Sequence, residues 1–316
     1  MEHGEKEQVS LYLLAGFATA PQFLESFRGS LHGILEREGF RVRTSQLLFP
    51  YGDWSRRAVP QLWEISRDMR LGAGRFGRSI GGRRVVDAIG ADWRPEPGKA
   101  GRIVLIGHSG GGVAAVHAAW QLLDLLGGPP SPVVMIGSPR CRIPEELRAS
   151  VLFVYAGAGV GSLSPGKPAD GVSRLGTFGG WRGFGRSGSS RPSAGASDSA
   201  SAGATGAGEG GELGSPRSSA AGSGAADSAA SRGAATVAGS AGRANVPLPE
   251  PEAAAGRRFW PAWLRDKHAP AERRGVPIIG KHADYFRERE PYINELGLTN
   301  LQLTQSVVWP WLRERI

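Results

Sequence analysis

The chain has 316 residues, 40% of them hydrophobic, with a formal charge of +9 and a sequence pI near 10.3. That is enough apolar material for one large folded domain or two small ones, and no run approaches the length of a membrane-spanning helix. The charge suits anionic partners, but the arginines are scattered over loops as Arg56-Arg57, Arg83-Arg84, Arg257-Arg258 and Arg273-Arg274. No nucleic-acid module is present, so no nucleic-acid partner is expected.

Cys141 is the only cysteine, which rules out an internal disulfide and any cysteine-based metal site. No other metal-ligand spacing occurs. The apolar run from Val9 to Ala20 ends in small residues, as a signal peptide does. It is preceded by Glu2, Glu5 and Glu7 against Lys6, the wrong sign for a signal, and a buried first strand explains it better. The expectation is a cytoplasmic protein.

In chain order, a strand is predicted over Val9–Leu14, ending at Ala15-Gly16-Phe17. Phe23, Phe27, Leu31 and Leu35 fall at helical spacing, so a helix is expected from about Pro21 to Glu38, stopped by Gly39. A second strand runs from Arg41 to Phe49, a helix from Gln61 to Arg70, and a short helix from Arg84 to Ile89. Between those helices Gly72-x-Gly74-x-x-Gly77 reads as a loop, because no strand precedes it.

Arg102–Ile106 is an apolar strand of the kind buried in a parallel sheet, and it runs into Gly107-His108-Ser109-Gly110-Gly111-Gly112. A helix follows from Val113 to Leu126, ended by Gly127-Gly128-Pro129-Pro130. Strands are expected at Pro132–Ile136 and Val151–Ala156, with a short helix at Pro144–Leu147 between them. From about Arg186 to Gly256 the chain becomes Gly, Ala and Ser, which bury too little to offset the entropy of ordering; residues 187–256 read as a disordered insertion. The aromatic run Phe259–Leu264 re-anchors the chain or forms a lid. A last strand, Val276–Ile279, leads to Gly280-Lys281-His282, with helices around Tyr285 and after Leu301. Strand–helix–strand repetition argues for an α/β fold with a mostly parallel central sheet and helices on both faces, built from residues 1–186 and 257–316.

Gly107-His108-Ser109-Gly110-Gly111 fits G-x-S-x-G, placed after an apolar strand and before an Ala-rich helix. A sharp strand-to-helix turn exposes the serine, and the flanking glycines avoid a clash. A serine hydroxyl needs a base, and the base needs an orienting acid; after a G-x-S-x-G elbow the acid and then the histidine follow along the chain. His117 lies within the helix after Ser109, and His268 has no strand before it. His282 follows the last predicted strand and is the expected base. Asp170, in the loop after Val151–Ala156, is the expected acid. The backbone N–H of Gly110 and one from Gly16 or Phe17 are the expected oxyanion donors.

Ile103–Gly112, Asp170 and the Lys281-His282-Ala283-Asp284-Tyr285-Phe286 segment together resemble the α/β-hydrolase superfamily, in its lipase/esterase-like branch. The resemblance implies an α/β-hydrolase fold and hydrolysis of a carboxylic ester or thioester by a Ser109–His282–Asp170 triad, with no cofactor. The implied partner is a small or lipid-like acyl ester. Two other readings stand beside it. Gly110-x-Gly112-x-x-Ala115 also fits a dinucleotide-binding pattern, which would make this an NADP-dependent oxidoreductase with Arg140 near a 2′-phosphate. The third is a non-catalytic protein of the hydrolase fold.

Overall fold

The computed structural model describes residues 7–92, 101–157, 169–182 and 262–316. They belong to one compact unit, Met1–Phe184 with Pro261–Ile316; the remaining stretch, Gly185–Trp260, and with it the insertion expected at 187–256, lies outside the described residues.

The elements run β1 (Gln8–Leu14), α1 (Glu25–Arg37), β2 (Arg41–Leu48), α2 (Ala58–Met69), α3 (Ile80–Asp92), β3 (Gly101–His108), α4 (Gly110–Leu126), β4 (Val133–Ile136), β5 (Val151–Ala156), β6 (Gly180–Trp181), β7 (Trp263–Leu264), β8 (Glu272–Val276) and α5 (Asn300–Arg313). Six strands form one sheet in the order β2-β1-β3-β4-β5-β8, and every pairing in it is parallel. The order reverses between β1 and β3. At such a switch point the connections leave in opposite directions and open a crevice at the carboxyl ends of the strands.

Alternation along the strands divides the core in two. Tyr12, Leu105, Met135 and Phe153 point to one face, where they pack with Ile65 of α2, Val85 of α3 and the apolar side of α4. Leu11, Leu13, Ile106, Val134 and Val154 point to the other, against Phe27 and Leu31 of α1 and Val308 and Trp311 of α5. Strands buried on both faces read as continuous apolar runs, which is why β1, β3, β4 and β5 stand out in the sequence.

Four elements differ from expectation. The last strand is Glu272–Val276, not Val276–Ile279: β5 pairs with Leu152↔Glu272 through Ala156↔Val276. This edge strand carries Glu272, Arg273 and Arg274, whose charges pair with each other and with Asp266 and Arg315, so it has no apolar signature. The helix expected at Arg84–Ile89 begins four residues earlier, at Ile80, because the buried Asp68 carboxylate accepts the N–H groups of Ile80 (3.0 Å) and Gly81 (2.8 Å). Around Tyr285 there is only a short 3-10 turn, His282–Asp284. The loop expected at the Gly72–Gly77 motif winds into a 3-10 helix, Ala73–Arg78.

The antiparallel β6–β7 ribbon was not legible in the sequence. It pairs Trp181 with Trp263, whose rings meet edge to face at 5.2 Å. Of the aromatic run, Phe259 and Trp260 lie outside the described residues.

Candidate active site

Ser109 sits between β3 and α4 with φ +55° and ψ −132°. A non-glycine residue in that region is strained, by about 1–3 kcal/mol, and persists only where its surroundings impose it. Here they do: the Ser109 N–H donates to Ile136 O of β4 (3.0 Å), and Ser109 O accepts from Gly112 N–H (3.0 Å). Among the described residues the only other non-glycine residue at positive φ is Ala18 (φ +47°), in the loop leaving β1. Ala18 N–H donates to Gln61 Oε1 (3.0 Å), and the amide of Gln61 donates in turn to the carbonyls of Asp53 and Arg56. Both strained residues therefore stand at the carboxyl ends of β1 and β3, beside the switch point.

The two loops touch at Gly16. A Cβ there would stand 2.6 Å from Ser109 Cβ and 2.8 Å from both Gly110 N and His108 O. Only glycine permits this approach, which sets the backbone just before Phe17 against the Ser109–Gly110 turn. Among the described residues neither the Phe17 nor the Gly110 amide donates to a protein acceptor. Gly110 is also the first residue of α4, where the helix dipole favours negative charge.

His282 reaches the site from the segment after β8. Its Nδ1 is 3.5 Å from Asp170 Oδ1, at the outer limit of hydrogen bonding. The Asp170 side chain is fully buried and well satisfied. Ser173 N–H donates to Oδ1 (2.7 Å), while Ser173 Oγ (2.6 Å) and Tyr285 Oη (2.7 Å) donate to Oδ2. Burial alone would raise the Asp170 pKa, but the His282 ring, Ser173 and Tyr285 outweigh it and hold the carboxyl below the usual range. Tyr285 Oη also accepts Ala156 N–H (2.6 Å), tying this cluster to the end of β5.

The His282 segment is pinned from α5. Asn300 accepts Ile279 N–H (2.9 Å) and donates to Ile279 O and Asp284 O (both 2.7 Å), and Thr304 Oγ1 donates to Tyr285 O (2.9 Å). From the other side, His108 stacks on His282 with ring centroids 4.8 Å apart, and its Nε2 lies 3.1 Å from His282 O. Burial, followed by the neighbouring His282, pushes the His108 pKa down to about 3, so it stays neutral.

Ser109, Gly110, His108, His282 and Phe17 line one cleft of about 920 Å³, whose apolar walls include Phe23, Leu62, Ile65, Met69 and Leu175. The structure thus places Ser109 and His282 in one cleft and His282 3.5 Å from Asp170, with Gly16 and Gly110 against the serine; no hydrogen bond links Ser109 to His282. It does not bring His117 or His268 there. His117 is buried in α4, with Nδ1 3.0 Å from Ser79 Oγ and its ring against Phe76. His268 lies beside Gly180 of the small ribbon, and neither residue lines the cleft. Nor does Trp263, expected as part of a lid.

Sequence reasoning missed Tyr285, Ser173, Asn300 and Thr304 as supports. Tyr285 and Thr304 had a signal, an isolated polar group at a buried position, but their partners are distant in sequence. Gly110 and Gly112, which also fit a dinucleotide-binding pattern, are occupied by packing. A Cβ at Gly112 would stand 2.0 Å from Ser138 Oγ, and one at Gly110 would stand 2.7 Å from Ile65 Cδ1. Among the described residues no group of three or more His, Cys, Asp or Glu side chains is arranged to hold a metal ion, and no helix is long and apolar enough to cross a membrane.

No protein-family model matches the chain, and no curated protein aligns with it significantly.

Proposed function

We propose that this protein is a serine hydrolase of the α/β-hydrolase type that cleaves a carboxylic ester or thioester through Ser109, His282 and Asp170. The observation that carries the reading is Ser109 in a strained strand-to-helix turn, lining the same cleft as a histidine backed by a buried, hydrogen-bonded carboxylate. The chain order Ser109, Asp170, His282 is that of the α/β-hydrolases.

In this mechanism His282 Nε2 takes the proton as Ser109 Oγ attacks the acyl carbon. Asp170 fixes the ring tautomer with Nδ1–H toward the carboxylate and stabilises the imidazolium that forms. Negative charge develops on the former carbonyl oxygen and is met by the amides of Gly110 and Phe17, beside the positive end of α4. His282 then protonates the leaving alcohol or thiol as its bond to the acyl carbon breaks. Water, deprotonated by His282, attacks the acyl-serine, and Ser109 Oγ recovers the proton as the acid departs.

Turnover of p-nitrophenyl butyrate by the purified chain tests the proposal. Hydrolysis that disappears in Ser109→Ala supports it; equal hydrolysis by the variant refutes Ser109 as nucleophile.

A further inference from the structure

The cleft carries a charge pattern that ester hydrolysis by itself does not require. Arg70, Arg142 and Arg287 line it together with His108 and His282, and among the described residues no Asp or Glu does. Arg287 is partly neutralised, with Nε 3.4 Å from Asp284 Oδ1 and its guanidinium over the Tyr292 ring. For Arg70 and Arg142 no ion pair or hydrogen bond of the guanidinium is formed among the described residues. Arg70 is explained in part by its place at the C-terminal end of α2, where a cation meets the helix dipole. Arg142 has no such account. It is half-buried on the segment after β4, and a partly desolvated cation without a counter-ion is costly.

The backbone gathers these two arginines at one end of the cleft. A Cβ at Gly72, two residues beyond Arg70, would stand 3.4 Å from Arg142 Nη1. The segment 139–142 is held against residues 173–176: Arg140 N–H donates to Leu175 O (2.8 Å), and Arg140 Nε donates to Ser173 O (3.1 Å). Met69, next to Arg70, closes the same corner, since its Cε would stand 3.0 Å from a Cβ at Gly176. The rest of the lining is largely apolar and includes Phe17, Phe23, Leu62 and Ile65. The cleft is therefore amphipathic, with arginines and hydrocarbon side chains in one lining.

We infer that Arg70 and Arg142 bind an anionic group, a phosphate or a carboxylate, carried by the substrate, so that the substrates are acyl esters or thioesters with an anionic head. This inference rests on the hydrolase reading of Ser109. Guanidinium groups match both anions through paired N–H donors, and a cleft whose described lining holds arginines and no carboxylate concentrates anions. The hydrocarbon part of the substrate lies along Phe23, Leu62 and Ile65.

The test measures binding to the full chain of octyl phosphate, octanoate and octyl glucoside, three ligands with the same chain and different heads, each below its micelle concentration. Binding is compared in wild type, Arg70→Gln, Arg142→Gln, the double variant and Arg142→Lys, with thermal melts to establish that each variant folds. The expected result is at least about tenfold tighter binding of one of the anions than of octyl glucoside, a preference lost in the double variant and partly kept in Arg142→Lys. Whether octyl phosphate or octanoate is the ligand that the variants weaken identifies the head as phosphate or carboxylate. Equal binding of all three ligands by wild type, or a preference that survives in the double variant, overturns the inference. Wild-type turnover of p-nitrophenyl butyrate reads the Ser109 chemistry separately. Turnover without an anion preference sinks this inference alone, whereas an anion preference without any turnover overturns the substrate role given to the arginines.

Discussion

The rings of His108 and His282 stack with centroids 4.8 Å apart and planes 22° from parallel, and His108 Nε2 lies 3.1 Å from the His282 carbonyl oxygen. A neutral His108 donates there and holds both the ring and the backbone of His282. Its own place is fixed by Phe23 and Phe286, whose rings lie 5.1 and 5.3 Å away. His108 is thus a positioning residue for His282. His108→Ala should lower kcat about ten- to a hundredfold with a much smaller change in KM, since small misplacements of a reacting group cost that much. His108→Phe keeps the stack and should recover part of the loss. Equal kcat in wild type and His108→Ala would remove the positioning role.

Gly16→Ala places a methyl group 2.6 Å from Ser109 Cβ and 2.8 Å from Gly110 N. The loop leaving β1 must then retreat, taking the Phe17 amide with it. Loss of one oxyanion donor lowers kcat by about 100- to 1000-fold, and that is the expected size here. Steady-state kinetics on a p-nitrophenyl ester, with a melt showing that the variant folds, would measure it. Unimpaired kcat would exclude this loop from the oxyanion site.

Tyr285→Phe removes a donor from Asp170 Oδ2 and leaves Ala156 N–H without its acceptor. A buried amide left unpaired costs about 1–3 kcal/mol, which denaturant unfolding at neutral pH should register. Activity should fall too, because Asp170 loses one of the hydrogen bonds that hold its pKa down. An unfolding midpoint equal to that of wild type would mean that the contact contributes nothing.

Stability should decline as the pH falls below about 6.5, the ordinary value for histidine. Burial lowers the pKa of His108 to about 3 and that of His117 to about 4. Between those values and 6.5 the unfolded chain binds protons that the folded chain refuses, so acid favours unfolding, by about 1.4 kcal/mol per pH unit for each group. Stability from these two residues is complete above about pH 6.5 and fades through the range below it. His117→Gln should reduce the slope of unfolding free energy against pH between pH 6 and 5, leaving the contributions of His108 and of His268, whose pKa burial also lowers. A slope unchanged by that substitution would contradict the assignment.

Sequence patterning made the interior strands legible because each is buried on both faces, so its residue types are dictated by one environment. Ser109 was legible for a related reason: strand, elbow glycines and Ala-rich helix are contiguous. Asp170 and His282 were reached by chain order, and their supports were not, because Tyr285, Asn300 and Thr304 act across gaps that only folding closes. The edge strand β8 was displaced by four residues in the sequence reading, since Glu-Arg-Arg pairs its charges with Asp266, Arg315 and its own neighbours and shows no alternation. The start of α3 was hidden because its cap, Asp68, lies twelve residues before Ile80. The cationic part of the cleft was not legible either: Arg70 and Arg142 are two among many scattered arginines until the fold brings them into one lining.

The most direct test of the central claim is labelling of the purified chain with a fluorophosphonate, followed by mass spectrometry of the modified peptide. Phosphonylation is expected at Ser109, vanishing in Ser109→Ala and falling steeply in His282→Ala. Absence of labelling in the folded wild type, or modification at another serine, would contradict it.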